Sequence, residues 1–148
     1  MVDGWLIVGP GGVGKSRLGA EVLALAERAD RPTGHVVVST TLSSIPLACL
    51  AHLLPAEALL RSGDVDLVRV AALFRAELDA PVVLLVDEID QLDQASAVVL
   101  AQLLAARAAF LIGTSRSAAG INDALASLMH SGRIARLDLE PLGDDDVD

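Results

Sequence analysis

Tyrosine is absent, tryptophan occurs once and phenylalanine twice, so aromatic residues supply only 2% of this 148-residue chain. A core without rings must be closed by Ala, Val, Leu and Ile. Hydrophobic residues reach 53%, which excludes disorder over most of the length. Cysteine is almost as scarce. The single thiol, Cys49, has no partner for an internal disulfide and reads as a small core residue, which suits a reducing, cytoplasmic setting. No apolar run exceeds strand length, and Asp3 stands where a basic leader would begin, so neither a membrane span nor a targeting segment is expected. The three histidines, His35, His52 and His130, lie too far apart in the sequence for metal-ligand spacing.

Positive charge is also in deficit. Eleven basic residues face 20 acidic ones, for a net charge of −9. Gripping a nucleic-acid backbone needs clustered Lys and Arg, and the arginines here are scattered, so DNA would be bound only through a domain outside this chain. Lysine is the scarcest of the charged types: Lys15 is the only one, against ten arginines. A position that keeps lysine in an arginine-choosing chain asks for a chemical reason.

The length suits one domain, residues 1–148, with a sizeable core. Five runs read as strands: residues 5–8, 35–38, 82–86, 110–112 and 134–139. The first four are apolar nearly throughout, the pattern of parallel strands buried on both faces. In the fifth, Ala135, Leu137 and Leu139 alternate with Arg136, Asp138 and Glu140, which predicts an edge strand with one wet side. Helical periodicity lies between them. Residues 15–29 place Leu18, Val22, Leu25 and Ala29 on one face; residues 66–79, 94–107 and 120–130 carry similar patterns. A short helix is expected over 43–55, with a serine cap and Pro46 in its first turn. Strands alternating with helices predict an α/β fold: a three-layer sandwich around a mainly parallel five-stranded sheet. Both ends read as cut from a longer protein, because the first strand begins almost at once and the acidic end suits a helix start that does not follow.

The stretch 8–18, VGPGGVGKSRL, follows the first strand and opens the first helix. Gly9, Gly14, Lys15 and Ser16 satisfy G-x-x-x-x-G-K-S/T, and strand–loop–helix is the context that gives this pattern its meaning. Gly9, Pro10, Gly11, Gly12, Val13, Gly14, Lys15, Ser16 and Arg17 are the expected nucleotide-binding residues. Glycines let successive backbone N–H groups point at phosphate oxygens, and the helix N-terminus adds its positive end. Ser16 offers a hydroxyl to Mg²⁺. Lys15 reaches the β- and γ-phosphates as a compact charge, where arginine's planar fork is too large. That is the reason for the lone lysine.

A second element is VVLLVDEIDQLD, residues 82–93. Asp87, at the end of a buried strand, is expected to hold the Mg²⁺ shell through water, and Glu88 to orient or deprotonate the attacking water. Asp90 and Asp93 read as acids that start the next helix. A third is FLIGTSR, residues 110–116, where Arg116 is placed to sense the γ-phosphate.

The P-loop, DEIDQLD, GTSR and the closing ARLDLEPLGDDDV occur here in the order found in large LuxR-family regulators, and the chain resembles their ATPase region, a STAND branch of AAA-like ATPases. The segment SIPLACLAHLLP adds to this resemblance. It implies an ATP/ADP-dependent switch with Mg²⁺, slow hydrolysis, self-association on ATP binding, and a sensor strand between the P-loop (Walker A) and acidic (Walker B) strands. It implies further that lid, helical repeats and DNA-binding domain lie outside these residues. Arg133, just before the last strand, stands where oligomeric AAA ATPases often keep an arginine finger; an ordinary helix-end arginine is the other reading. The alternatives are an AAA-type motor or loader ATPase, which shares the same motifs, and a small-molecule P-loop kinase, which would need an arginine-rich lid that the chain lacks.

Overall fold

Val82, Leu84 and Val86 look one way and Val83 and Leu85 the other, yet all five are buried. A strand covered on both faces needs a layer above and a layer below, and that requirement sets the architecture. The computed structural model describes residues 2–11, 14–38 and 81–140. The segments expected to be helical over 43–55 and 66–79, the end beyond 140, and Gly12, Val13, Cys49 and His52 lie outside the described residues.

Strand β1 (Gly4–Val8) leads through the P-loop to helix α1 (Lys15–Arg28), then to β2 (Thr33–Val37). The described chain resumes with β3 (Val82–Asp87), helix α2 (Gln94–Ala105), β4 (Ala109–Ser115), helix α3 (Asp123–His130) and β5 (Ile134–Asp138). All pairings are parallel, in the order β2-β3-β4-β1-β5. The strand carrying Gly-Thr-Ser therefore lies between the P-loop strand and the acidic strand, as the resemblance implied. The α/β sandwich with a parallel five-stranded sheet is the fold of the chain.

One face of the sheet packs on α2 and α3. Val99, Leu100, Leu103 and Leu104 of α2 are each no more than 2% exposed, in line with their periodicity. The other face, with Ile7, Val83, Leu85 and Ile112, meets Leu18, Val22, Leu23 and Ala26 of α1. Gly19 seats that helix: a Cβ there would lie 2.6 Å from Leu85 Cδ1, so the helix rides directly on β3. Among the described residues, no helix is long and apolar enough to cross a membrane.

Three features depart from the periodicity. Leu25, expected on the buried stripe of α1, is 59% exposed, because the stripe turns through Leu23 and Ala26 instead. Strand β5 is an edge strand, but its buried residue is Ile134, and Leu137 is exposed. The helix α1 packs over β3, β4 and β2, leaving the side of the sheet at Trp5 and Leu137 open among the described residues. Strand β2 is the opposite edge, so its run is not buried throughout: Val36 is buried, while His35 and Val37 are exposed.

The edge of the sheet where the strands begin is tied by ion pairs to Asp3: Arg107 Nε lies 3.7 Å from its Oδ1, and Arg133 makes the closer contact. Arg133 Nε donates to Asp3 Oδ2 at 2.6 Å, and its Nη2 donates to the carbonyls of Leu104 and Ala105, both at 3.1 Å. These are last-turn carbonyls of α2, beyond the helix's regular i+4 bonding, though that of Leu104 also accepts the Arg107 N–H at 3.0 Å. Arg133 thus joins the starts of β1 and β5 to the end of α2. It is a helix-end arginine, though it serves α2 and not the helix that precedes it in sequence.

The Asp3 side chain is only 6% exposed, so losing this contact would leave a buried carboxylate with little solvent to replace it. Arg133→Ala is expected to destabilise the fold by about 3 kcal/mol, the lower end of the range for an abandoned buried charge because Arg107 stays nearby. Urea unfolding of the variant measures it; a change within error would show that the carboxylate is solvated after all.

Candidate functional site

The P-loop begins where β1 ends. Gly9 N–H donates to the Ser115 carbonyl at 3.1 Å, which holds the loop against the end of β4. Gly14 caps α1 at φ 96°, in the left-handed region where a side chain is disfavoured. Having no side chain, it makes no capping hydrogen bond, so the first-turn N–H groups remain available to an anion. Lys15 Nζ donates to the carbonyls of Gly9 at 2.5 Å and Pro10 at 2.9 Å, folded back over its own loop.

A cavity of about 430 Å³ opens at this point. Its walls come from Gly11 and the α1 start (Gly14, Lys15, Ser16, Arg17), from Glu88 after β3, and from Thr114, Ser115 and Arg116 at the end of β4. Lys15, Arg17 and Arg116 are cationic and only Glu88 is anionic, so the walls carry two positive charges in a chain of net −9. Such a local field concentrates a polyanion that the chain as a whole repels. The Arg116 guanidinium hangs over the P-loop, its Nη2 3.5 Å from where a Cβ on Gly11 would sit. Of the other expected residues, Gly9 and Pro10 meet the site through Lys15, and Gly12 and Val13 lie outside the described residues.

Asp87 does not line the cavity but is one hydrogen bond from it. Thr114 Oγ1 donates to Asp87 Oδ1 at 3.0 Å and accepts the Glu88 N–H at 3.0 Å. This hydroxyl, 1% exposed, holds both acids at once. Glu88 sits at φ 54°, ψ 50°, a left-handed conformation that costs a side-chain-bearing residue on the order of 1–2 kcal/mol. The turn persists because Thr114 takes its N–H and Ile89 is buried just beyond, 3.2 Å from where a Cβ on Gly113 would be. Asp87 Oδ2 accepts from His35 Nε2 at 3.0 Å.

Sequence spacing points to neither Thr114 nor His35. Thr114 is hidden in a strand that runs three residues further than the apolar run 110–112 suggests. His35 is 52 residues from Asp87 in the chain. Asp93 is the N-cap of α2, its Oδ2 accepting from Ser96 N–H at 2.9 Å, as expected of an acid that starts a helix. Asp90 accepts from Gln91 and lines a neighbouring hollow of about 220 Å³ with Glu88, Gln91 and Arg116.

The oxygen donors gathered here are the Ser16 hydroxyl, the Glu88 carboxylate and, through Thr114, the Asp87 carboxylate. Few hard oxygens beside a phosphate-sized cationic pocket fit Mg²⁺, which keeps waters and shares its shell with phosphate oxygens.

A model of the ATPase family associated with various cellular activities (AAA) matches residues 5–137. Solved structures of similar fold include AMPPCP-bound DnaA from Aquifex aeolicus, with TM-score 0.59, 15% identity, and 98% of this chain and 42% of that one covered. RuvB T158V from Thermotoga maritima aligns with TM-score 0.57, 20% identity and coverage of 93% and 37%. PCH-2 from C. elegans aligns with TM-score 0.56, 16% identity and coverage of 96% and 36%. The chain thus spans about two fifths of the length of these proteins. No curated protein matches it by sequence.

Two variants separate strain from support. Glu88→Gly should raise stability by up to about 1 kcal/mol by relieving the left-handed strain. Thr114→Val should lower it by about 2 kcal/mol, because a buried N–H and a carboxylate oxygen lose their partner. Urea midpoints check both; a Glu88→Gly that is less stable would mean that the glutamate side chain itself supports the turn.

Proposed function

Because the chain belongs to the AAA family of ATPases, we propose that it binds ATP with Mg²⁺ and hydrolyses it slowly, as one module of a larger machine. One observation carries this reading: a single cavity collects the uncapped N-terminus of α1, Lys15, Arg17, Arg116 and the acid Glu88. Phosphates would take the backbone N–H groups of the P-loop, and Lys15 would leave the Gly9 and Pro10 carbonyls for the β- and γ-phosphates. Ser16 and, through water, Asp87 would hold Mg²⁺, which would supply charge neutralisation of the phosphates. Glu88 accepts a proton from the attacking water, whose oxygen bonds to the γ-phosphorus as the bond to the bridging oxygen breaks and ADP departs. Arg116, whose guanidinium lies over Gly11, would distinguish ATP from ADP.

The finer class favoured by the structural relatives is a motor or loader ATPase that associates with further copies, since DnaA, RuvB and PCH-2 share the fold. A specific observation keeps a second reading, the ATP-dependent switch of a LuxR-type regulator. The guanidinium of Arg133, at the position where assembling AAA motors often keep a finger, is engaged with Asp3 and the end of α2. The segments SIPLACLAHLLP and LEPL point the same way. Turnover accelerated by oligomer formation or nucleic acid supports the motor; ATP held for long periods supports the switch.

Lys15→Ala should weaken nucleotide binding by about 100-fold or more, the worth of a charge-assisted contact. Glu88→Gln should keep binding and slow hydrolysis by about 10²–10⁴-fold. Arg116→Ala should lose affinity for ATP and not for ADP. A single-turnover assay with γ-labelled ATP, following bound nucleotide and released phosphate, reads all three; normal hydrolysis by Glu88→Gln would sink the general-base role.

A further inference from the structure

We propose that His35 is a positioning residue for the Asp87 carboxylate, fixing its plane for the Mg²⁺ shell from the edge strand β2. The inference rests on the ATPase reading above and extends it to a residue outside the cavity.

The geometry follows from parallel register. His35 pairs with Leu85, and Asp87 is two residues further along β3, so both side chains stand on the α1 face as diagonal neighbours. Val86 pairs with Gly113, which sets Thr114 beside Asp87 on the other flank. The carboxylate is therefore gripped from both sides. Oδ1 accepts from Thr114 Oγ1 and Oδ2 accepts from His35 Nε2, each at 3.0 Å. A carboxylate only accepts, so Nε2 carries the hydrogen. With one donor on each oxygen, rotation about the terminal torsion would break one bond or the other. Each oxygen keeps its remaining lone pair for a metal-bound water.

Stability does not account for this contact. The His35 side chain is 45% exposed and that of Asp87 23%, and polar contacts so close to solvent contribute little to folding. What an exposed imidazole can do here is hold an orientation. Partners one step behind a metal's own shell typically alter metal affinity by about 10–100-fold when removed.

The test titrates Mg²⁺ into wild type, His35→Ala and His35→Gln in the presence of a fluorescent ATP analogue. Parallel binding in EDTA and urea unfolding accompany it. His35→Ala should need about 10-fold more Mg²⁺ for half-maximal binding, with the EDTA affinity and the unfolding midpoint unchanged. His35→Gln, whose amide can donate to the same oxygen, should return most of that shift. An unshifted Mg²⁺ midpoint in His35→Ala overturns the inference, as does equal loss with and without metal, or a glutamine that restores nothing. Wild type that shows no Mg²⁺-dependent binding overturns the ATPase reading, and this inference with it; wild type that binds while His35→Ala behaves identically overturns this inference alone.

Discussion

Strands that all run the same way must all end along the same edge, and the rest of this molecule is arranged around that constraint. The P-loop after β1, the acids at and after Asp87 on β3, and the polar end of β4 arrive on one line. The opposite edge receives the starts of the strands and is closed by Asp3 and Arg133. Chemistry and fastening are therefore at opposite ends of the sheet. At the end of β4 the buried positions are filled by Thr114 and Ser115, polar residues where the rest of the strand uses leucine and isoleucine.

At the functional edge, one hydroxyl does more than its size suggests. Thr114 donates once and accepts once, and those two bonds orient Asp87 and hold the peptide of Glu88 in an unfavourable conformation. Each bond is worth only on the order of 1 kcal/mol net, but leaving either group unpaired costs more. The loop has its own internal arrangement: Lys15 is satisfied by the Gly9 and Pro10 carbonyls. On the proposed reading, affinity for a nucleotide would be a difference between two sets of hydrogen bonds.

Local patterns made much of this visible in advance. Strand runs, the loop between β1 and α1, and the acids ending β3 are each decided by neighbours a few residues apart, and the place of β4 between β1 and β3 followed from the family resemblance. What stayed hidden depends on contacts between distant residues. Arg133 meets a residue 130 positions away, and which carbonyls it serves depends on how α2 ends beside it. Thr114 and His35 look like ordinary strand residues until register sets them beside Asp87. The exposure of Leu25 and Leu137 reflects where α1 lies across the sheet, which helical periodicity does not specify.

The grip on Asp87 also bears on when the site can exist. Its two partners are 27 and 52 residues away in sequence, on separate strands, and parallel neighbours cannot form by a local hairpin. Three strands must be in register before the carboxylate is oriented, whereas the P-loop and α1 are local and can form early. During synthesis, β4 is the last of these strands to emerge, and contacts of such separation are the slow ones in folding. On the proposed reading, the metal–nucleotide site would thus be completed late, only in chains whose central sheet is already assembled.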